Sequence, residues 1–570
     1  MITRGNSLAR SGLAARVFPG LLVLRRYERS WLWPDAVAGL TVGAMLIPQS
    51  MGYAELADMP PQYGFYAGMA ALLVYAMVGT SRHLGVGPEP GTAILAAAAV
   101  APLAVGDPAR YISLMAALAL LVSAVCILGA IARLGHLASM LSRPVLVGYI
   151  SGVGLTLLSS QIATFTGVKI TADSFFPRVR QFVSHLGSVH GATFAVAACA
   201  LVLMLVVRWR RPTFPAALIA VVLATTAVAR FGLDRHGVAL VGAIPAGFPR
   251  VGLPDVGFRD LIRMLPAAAG IALVGFTDNV LTARAIATKK GYRIDPNQEL
   301  FALGAINLAS GLSRGFPISS SASRTAVPAS LGSRTQLVSV IGAGFVIVTL
   351  LALRPALSQI PRAALAAVIV TAAISIIDVP AFLSLWRFSK AECILSIVAT
   401  FGVIVFGVLP GIVIAVALSI AVALTRFAHP HDAVLGDLPG LDGWVDIDDF
   451  PNAVSADGLL VFRFDAPLFF LNIDRFCDRV EEALRDNPGD EEWFVMDCEG
   501  IGDIDASAIE GLRELVARLA ASHVQVVAVA RANDRVRDHL RRALLLAPNG
   551  PIRQFPTING AVRAFRERAS

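Results

Sequence analysis

Gly87-Pro88-Glu89-Pro90-Gly91-Thr92, running into the apolar stretch 93–104, and Gly315-Phe316-Pro317, followed by Ser319, Ser320, Ser321, Ala322, Ser323, Arg324 and Thr325, decide how this chain must fold. Each is too interrupted by Pro, Gly and Ser to cross a membrane as a plain helix. Yet both sit in corresponding halves of an otherwise very apolar sequence. Backbone exposed by such residues is tolerated at membrane depth only when protein buries it or when it lines a wet cavity. Paired interruptions in two halves are the pattern of inverted repeats whose half-helix N-termini face each other across a midplane site. The pattern points to a carrier of small anions; purely structural re-entrant loops are the plainer alternative.

The composition supports the membrane setting. Of 570 residues, 56% are hydrophobic and 15% charged, and the mean hydropathy is +0.67, outside the range of ordinary soluble domains. Charge is split unevenly: residues 1–431 hold 15 acidic and 33 basic side chains, residues 432–570 hold 25 and 15. Two domains follow. The basicity of the first belongs to loop arginines that hold orientation, and nucleic-acid binding is not indicated.

Arg4, Arg10, Arg16, Arg25, Arg26 and Arg29 precede the first span without a cleavable signal pattern, which puts the N-terminus in the cytoplasm. With about 14 spans, Arg82, Arg133 and Arg143, the Arg208–Arg211 cluster, Lys289-Lys290 with Arg293, Arg334, Arg387 with Lys390, and Arg426 fall on that same side. An even number of spans and two cytoplasmic termini are expected, in a multi-pass protein of the inner (plasma) membrane. Cys126, Cys199, Cys393, Cys477 and Cys498 lack metal-type spacing and read as packing thiols. No metal or other cofactor is expected beyond a coupling cation.

The expected spans are 35–55, 63–80, 89–104, 111–133, 142–166, 192–208, 213–231, 261–288, 298–312, 319–331, 336–356, 361–377, 390–407 and 411–427. The third and tenth fall short of the ~20 residues that a ~30 Å hydrocarbon core requires. Seven spans separate them, so the chain reads as two inverted seven-helix repeats. The domains are then a cytoplasmic segment 1–34, a membrane domain 35–431 and a cytoplasmic domain 432–570. In the last, 459–465 and 467–471 read as strands, 474–486 as a helix, 493–497 as a strand, 505–520 as a helix, 524–530 as a strand and 534–545 as a helix. A short β segment at 552–555 and a helix from Asn559 close a small α/β domain. It carries no phosphate loop.

Four groups of residues carry the chemistry. Gln49 and Tyr53 stand four apart, just after Pro48, stacking an amide and an aromatic edge on one helix face. Tying two helices together is the plainer role for Gln49. Asp278 puts a carboxylate at the centre of the eighth span, where it costs at least ~2.5–3.5 kcal/mol and is a functional candidate by default. Thr282, one turn on, would add a hydroxyl to a Na⁺ site, and protonation of Asp278 would serve proton coupling equally well; an ion pair from Asp278 to Arg284 or Arg324 is the structural alternative. Ser321, Ser323 and their serine neighbours, at a helix start with Arg324, supply donors and a permanent charge that suit an oxyanion. Glu89 lies across from them. A fixed negative charge there would repel an anion unless Glu89 pairs with Arg324 or carries a proton; a plain helix N-terminal carboxylate is the alternative.

Together these residues resemble the SulP family, also called solute carrier family 26, in which a 14-span membrane domain precedes a cytoplasmic STAS domain. The resemblance runs from Trp33-Pro34-Asp35-Ala36-Val37-Ala38-Gly39-Leu40-Thr41-Val42 and Ile47-Pro48-Gln49-Ser50-Met51-Gly52-Tyr53-Ala54 to the end of the chain. It includes Pro144-Val145-Leu146-Val147-Gly148-Tyr149, Asn297-Gln298-Glu299-Leu300 with Gly304 and Asn307, and Gly315-Phe316-Pro317 with its serines. The overall look is that of actinobacterial sulfate permeases.

The resemblance implies a core of spans 1–4 and 8–11 moving as an elevator against a gate of spans 5–7 and 12–14. The anion would sit near Gln49, Tyr53, Ser323 and Arg324, and Asp278 with Thr282 matches the coupling-ion position of sodium-dependent bicarbonate members. Many members instead have Glu at the Asp278 position and are regarded as proton-coupled. Glu89 departs from the apolar or aromatic residue common after Gly-Pro. The STAS likeness rests on Asp497 and Ile504-Asp505-Ala506-Ser507-Ala508. Ser507 matches the serine phosphorylated in related anti-sigma-factor antagonists, but Ala508 replaces the usual glycine, which favours an ordinary helix cap.

The expected activity is secondary active transport of a small oxyanion, sulfate uptake first, coupled to H⁺ or Na⁺. Bicarbonate, a C4-dicarboxylate, an uncoupled anion channel and a STAS-signalling sensor remain alternatives. The chain is not read as an enzyme. Its expected partners are the small inorganic or organic anion, the lipid bilayer, a second copy in a homodimer, and a cytosolic protein through the STAS domain.

Overall fold

Fourteen helices answer to the fourteen expected spans. A computed structural model describes residues 17–25, 27–135, 142–172, 174–211, 214–245, 247–440, 443–486 and 492–568. Arg4, Arg10, Arg16 and Arg26, on which part of the topology reading rests, lie outside them. The chain divides into two compact units, one ending at Ser419 and one beginning at Ile420.

The first half of the membrane unit comprises α1 (Leu32–Leu56), α2 (Pro61–Val78), strand β1 (Val86–Gly87), α3 (Pro90–Ala104), α4 (Pro108–Ile131), α5 (Arg143–Ser160), α6 (Gly191–Arg210) and α7 (Ala216–Phe231). The second half comprises α8 (Phe258–Lys290), α9 (Pro296–Leu312), strand β2 (Ser319–Ser320), α10 (Ala322–Ser330), α11 (Leu337–Ala352), α12 (Arg362–Ile376), α13 (Lys390–Phe406) and α14 (Val408–Ala428). Among the described residues, seven helices are long and apolar enough to cross a bilayer on their own. Proline at or next to the first position starts α2, α3, α4 and α9, where its missing N–H costs nothing. Asp107 caps α4 through Ala109 N at 2.9 Å, and Asp295 caps α9 through Asn297 N at 2.9 Å.

The helices sort into two packed groups. α4 lies on α8 and α9, α2 on α9 and α11, and α1 on α11, whereas α5 lies on α12 and α13 and α6 on α12. Close approach comes from small residues: a Cβ at Gly148 of α5 would fall 2.0 Å from the Ser396 carbonyl oxygen of α13. Two helices without counterparts among the expected elements, Phe175–Ser184 and Val379–Phe388, lie between spans and expose Phe176, Val183, Trp386 and Phe388.

At the centre, β1 and β2 pair antiparallel, Val86 with Ser320 and Gly87 with Ser319. The tenth span therefore begins as strand at 319, and its half-helix starts at Ala322, within the serine run where a helix start was expected. Asn307 of α9, fully buried, holds the segment before β2 as a backbone would. Its Nδ2 donates to Ile318 O and its Oδ1 accepts from Ile318 N, both at 3.0 Å.

The second unit is built on a six-stranded sheet of order β4-β3-β5-β6-β7-β8. Its strands are β3 (Asp432–Asp437), β4 (Trp444–Asp446), β5 (Leu459–Phe464), β6 (Trp493–Asp497), β7 (Val526–Ala530) and β8 (Ile552–Phe555). β5 to β8 run parallel, with β3 antiparallel to β5 and β4 antiparallel to β3. One face packs Phe462, Phe494 and Val529 against α15 (Ile473–Asp486), α16 (Ala506–Ala521) and α17 (Asp534–Arg542). The other packs Val461, Trp493 and Val495 against α18 (Ile558–Arg568). Residues 467–471 are not the strand expected from their apolar run: only Leu468 bridges, to Ile504, and Phe469 N turns onto Asn472 Oδ1 at 3.0 Å.

Candidate functional site

A cavity of about 490 Å³ lies inside the membrane unit where α3 and α10 begin. Its polar wall comes from Gln49, Tyr53, Glu89, Asp278, Ser321 and Ser323, all singled out in the sequence. Its more apolar wall comes from the other helix group, with Val153, Met204, Val368 and Ile376, and includes Tyr149, Thr371, Ser375 and the exposed Arg208. The site thus lies where the two helix groups face each other.

Arg324 is fully buried, behind the lining rather than in it. Its Nη1 donates to Gln49 Oε1 at 2.9 Å, while Nε and Nη2 have no hydrogen-bond partner among the described residues. Backbone presses against this side chain because residues 85 and 87 are glycines. A Cβ at Gly85 would come 2.7 Å from Arg324 Cβ, and Gly87 has φ +140°, a conformation that favours glycine. Gln49 spends its carbonyl on the guanidinium and keeps its amide donors for the cavity it lines. The strand before α10 is fixed by Ser321 N donating to Gly85 O at 2.9 Å and Gly85 N donating to Thr325 Oγ1 at 3.0 Å. A buried cation with two unused donor positions, next to a polar cavity, is suited to an anion and costly without one.

Asp278 of α8 lines the cavity and accepts from Ser320 Oγ at 3.4 Å. Among the described residues it makes no ion pair with Arg284 or Arg324 within 4.0 Å. Thr282 is half-buried and is not part of the lining, so the hydroxyl expected beside Asp278 does not reach the same space. Glu89 is not paired with Arg324 as one expectation had it. It is the N-cap of α3 and accepts from Thr92 N at 2.9 Å.

Tyr149 went unassigned from sequence, and Ser319, counted there among the serine donors, spends its hydroxyl on the fold. Tyr149 lies in a quoted family segment, but nothing in its spacing shows that its hydroxyl is buried in the cavity wall with no partner among the described residues. Ser319 bonds Gly275 O at 3.1 Å and holds α8 against β2. In the second unit, Asp505 caps α16 by accepting from Ala508 N at 2.8 Å, and Ser507 is exposed in the first turn. Asp497 is fully buried and accepts from Arg531 Nε at 2.9 Å, a structural pair.

The sequence profile of the Sulfate permease family matches residues 32–399, and that of the STAS domain matches residues 450–560. A "Probable sulfate transporter" of Mycobacterium tuberculosis is 46% identical over 551 residues, covering 96% of this chain and 98% of that one. "Sulfate transporter 4.1, chloroplastic" of Arabidopsis thaliana is 32% identical, covering 96% and 82%. Murine Slc26a9, an anion transporter solved in the inward-facing state, superposes with a TM-score of 0.87 at 24% identity, covering 99% of this chain and 96% of that one. The transmembrane domain of the cyanobacterial bicarbonate transporter BicA gives 0.60 at 22% identity over 69% of this chain and 98% of that one. At those identities the two structures carry the fold alone.

Proposed function

The chain belongs to the sulfate permease family, a family of membrane transporters and not of enzymes, and on that premise we propose that it carries sulfate inward as a secondary active transporter. The observation that supports this most is the buried Arg324, with two donor nitrogens unused beside a cavity framed by two helix N-termini. An oxyanion brings several acceptor oxygens and negative charge. It would accept from the Gln49 amide, from the Ser321 and Ser323 hydroxyls and from free N–H groups at the start of α10, while Arg324 supplies the balancing charge. The wall that carries Met204, Val368 and Ile376 is largely apolar, with Arg208 as its one charged lining residue among the described residues, which suits a surface past which the loaded group can slide. That is the elevator reading, with α1–α4 and α8–α11 as the moving part.

Coupling falls to Asp278, the carboxylate in the same cavity, through a proton or Na⁺. Both termini are assigned to the cytoplasm of a plasma-membrane protein, with the STAS domain as a regulatory module that supports a homodimer and offers its surface to a cytosolic protein. Uptake of labelled sulfate, bicarbonate and succinate into proteoliposomes under imposed H⁺ and Na⁺ gradients tests the assignment. Sulfate accumulation that follows one gradient is expected. No transport of any of the three would end it, and unitary currents far above carrier rates would replace the carrier with a channel.

A further inference from the structure

α3 and α10 both begin at the cavity, but their N-termini are not alike. At α10 the N-cap Ser321 makes no side-chain bond to a backbone N–H of the first turn, and its Oγ instead lies 3.0 Å from Ser323 Oγ. At α3 the N-cap Glu89 folds its carboxylate back onto Thr92 N at 2.9 Å. The carboxylate lies so close over the first turn that a Cβ at Gly91 would come 3.0 Å from Oε2. The N–H groups and dipole that would draw a substrate anion to α3 thus already hold a carboxylate of the chain itself. Among the described residues no ion pair within 4.0 Å neutralises it. Asp278 adds a second carboxylate to the same wall, against the buried guanidinium of Arg324 behind the lining and the exposed Arg208 within it; Tyr149, whose buried hydroxyl has no partner among the described residues, also lines the cavity.

We propose that Glu89 is a tethered anion that sets which substrate charge this site accepts, a role that rests on the oxyanion-transport reading above. An entering anion meets Glu89 in a low-dielectric cavity, and the repulsion scales with the charge the anion brings. A dianion is therefore penalised twice as much, in free energy, as a monoanion of the same shape. A compensating positive charge in the same space eases its loading, which is what a co-transported cation would supply. Glu89 is here a specificity residue. The cap that it gives α3 is a separate service, which a neutral amide of the same shape can perform.

Sulfate and perchlorate provide the test, being tetrahedral oxyanions that differ by one charge. Their affinities are measured by calorimetry on the purified full chain at fixed pH and ionic strength. Glu89→Gln is expected to tighten perchlorate about ten-fold and sulfate about a hundred-fold, the second factor being near the square of the first. Glu89→Ala, which removes the cap as well, should show the same relation between the two ions, and Glu89→Asp should keep the wild-type ratio. Equal factors for both ions, or none, in a protein whose wild type binds sulfate would overturn the role of Glu89 alone. A wild type that binds neither ion would overturn the transport reading and this inference with it.

Discussion

At the scale of single residues, Arg324 and Asp278 share a cavity but should fail differently when replaced. Arg324→Ala removes the one fully buried arginine and two donors without an acceptor among the described residues, so sulfate affinity should drop about a hundred-fold or more. The backbone of α10 should remain helical, since Ala is the better helix former. Calorimetry beside a thermal melt separates the two effects, and wild-type affinity in the variant would place the site elsewhere. Asp278→Asn should still bind sulfate, but uptake in proteoliposomes should no longer follow the H⁺ or Na⁺ gradient; retained gradient-driven accumulation would remove Asp278 from coupling. The site was largely legible at this scale because charge in an apolar segment is conspicuous. Gln49, Glu89, Asp278, Ser321 and Ser323 all reach one cavity. What could not be read was direction: whether Thr282 turns into the cavity, or whether Glu89 points to Arg324 or back to Thr92, depends on helix rotation and cap geometry that spacing does not specify.

Among elements, the fit between α5 and α13 is set by atoms that are absent. Thr400 Oγ1 donates to Gly148 O at 2.9 Å across a gap that leaves no room for a methyl group. Gly148→Ala must push backbone from backbone, at about 1–3 kcal/mol, so the detergent-purified variant should melt at lower temperature; an unchanged midpoint would show that the contact is looser than drawn. In the second unit, burial pushes the Cys477 thiol up to about 11 and the Cys498 thiol up as well. The fold favours the protonated thiols, so their contribution is complete below the unfolded value of ~8.5 and declines as pH rises toward 11. Alkylation of Cys477 by iodoacetamide should accordingly be far slower at pH 8 than in the denatured chain, and equal rates would contradict its burial. The expected elements were recovered where apolar runs were long. Phe175–Ser184 and Val379–Phe388 escaped because each is ten residues long and amphipathic, too short and mixed to register as a span. Residues 467–471 misled for the opposite reason: the run is apolar, but only Leu468 is fully buried, Phe470 is exposed and the backbone turns at Asn472.

For the whole molecule, the division into units carries a prediction about selectivity. Every described residue of the cavity belongs to the unit that ends at Ser419, and the second unit has its own cores on both faces of its sheet. Deleting residues 440–570 should therefore lower expression, trafficking or rate while leaving the preference among sulfate, bicarbonate and succinate unchanged. A truncated protein with altered preference would show that recognition is shared. The membrane unit has a different kind of dependence on its full length. The ladder of Val86 with Ser320 and Gly87 with Ser319 joins segments far apart in the chain, and closing a loop of that size costs about 5 kcal/mol of chain entropy. Two residue pairs cannot meet that alone. The ladder can form only after α1, α2, α8 and α9 have brought its edges together, which makes ligand binding a late event in biogenesis. A nascent chain with every helix inserted would still be blind to its substrate, and a bound anion would act as a chaperone for the last step of its own carrier's assembly.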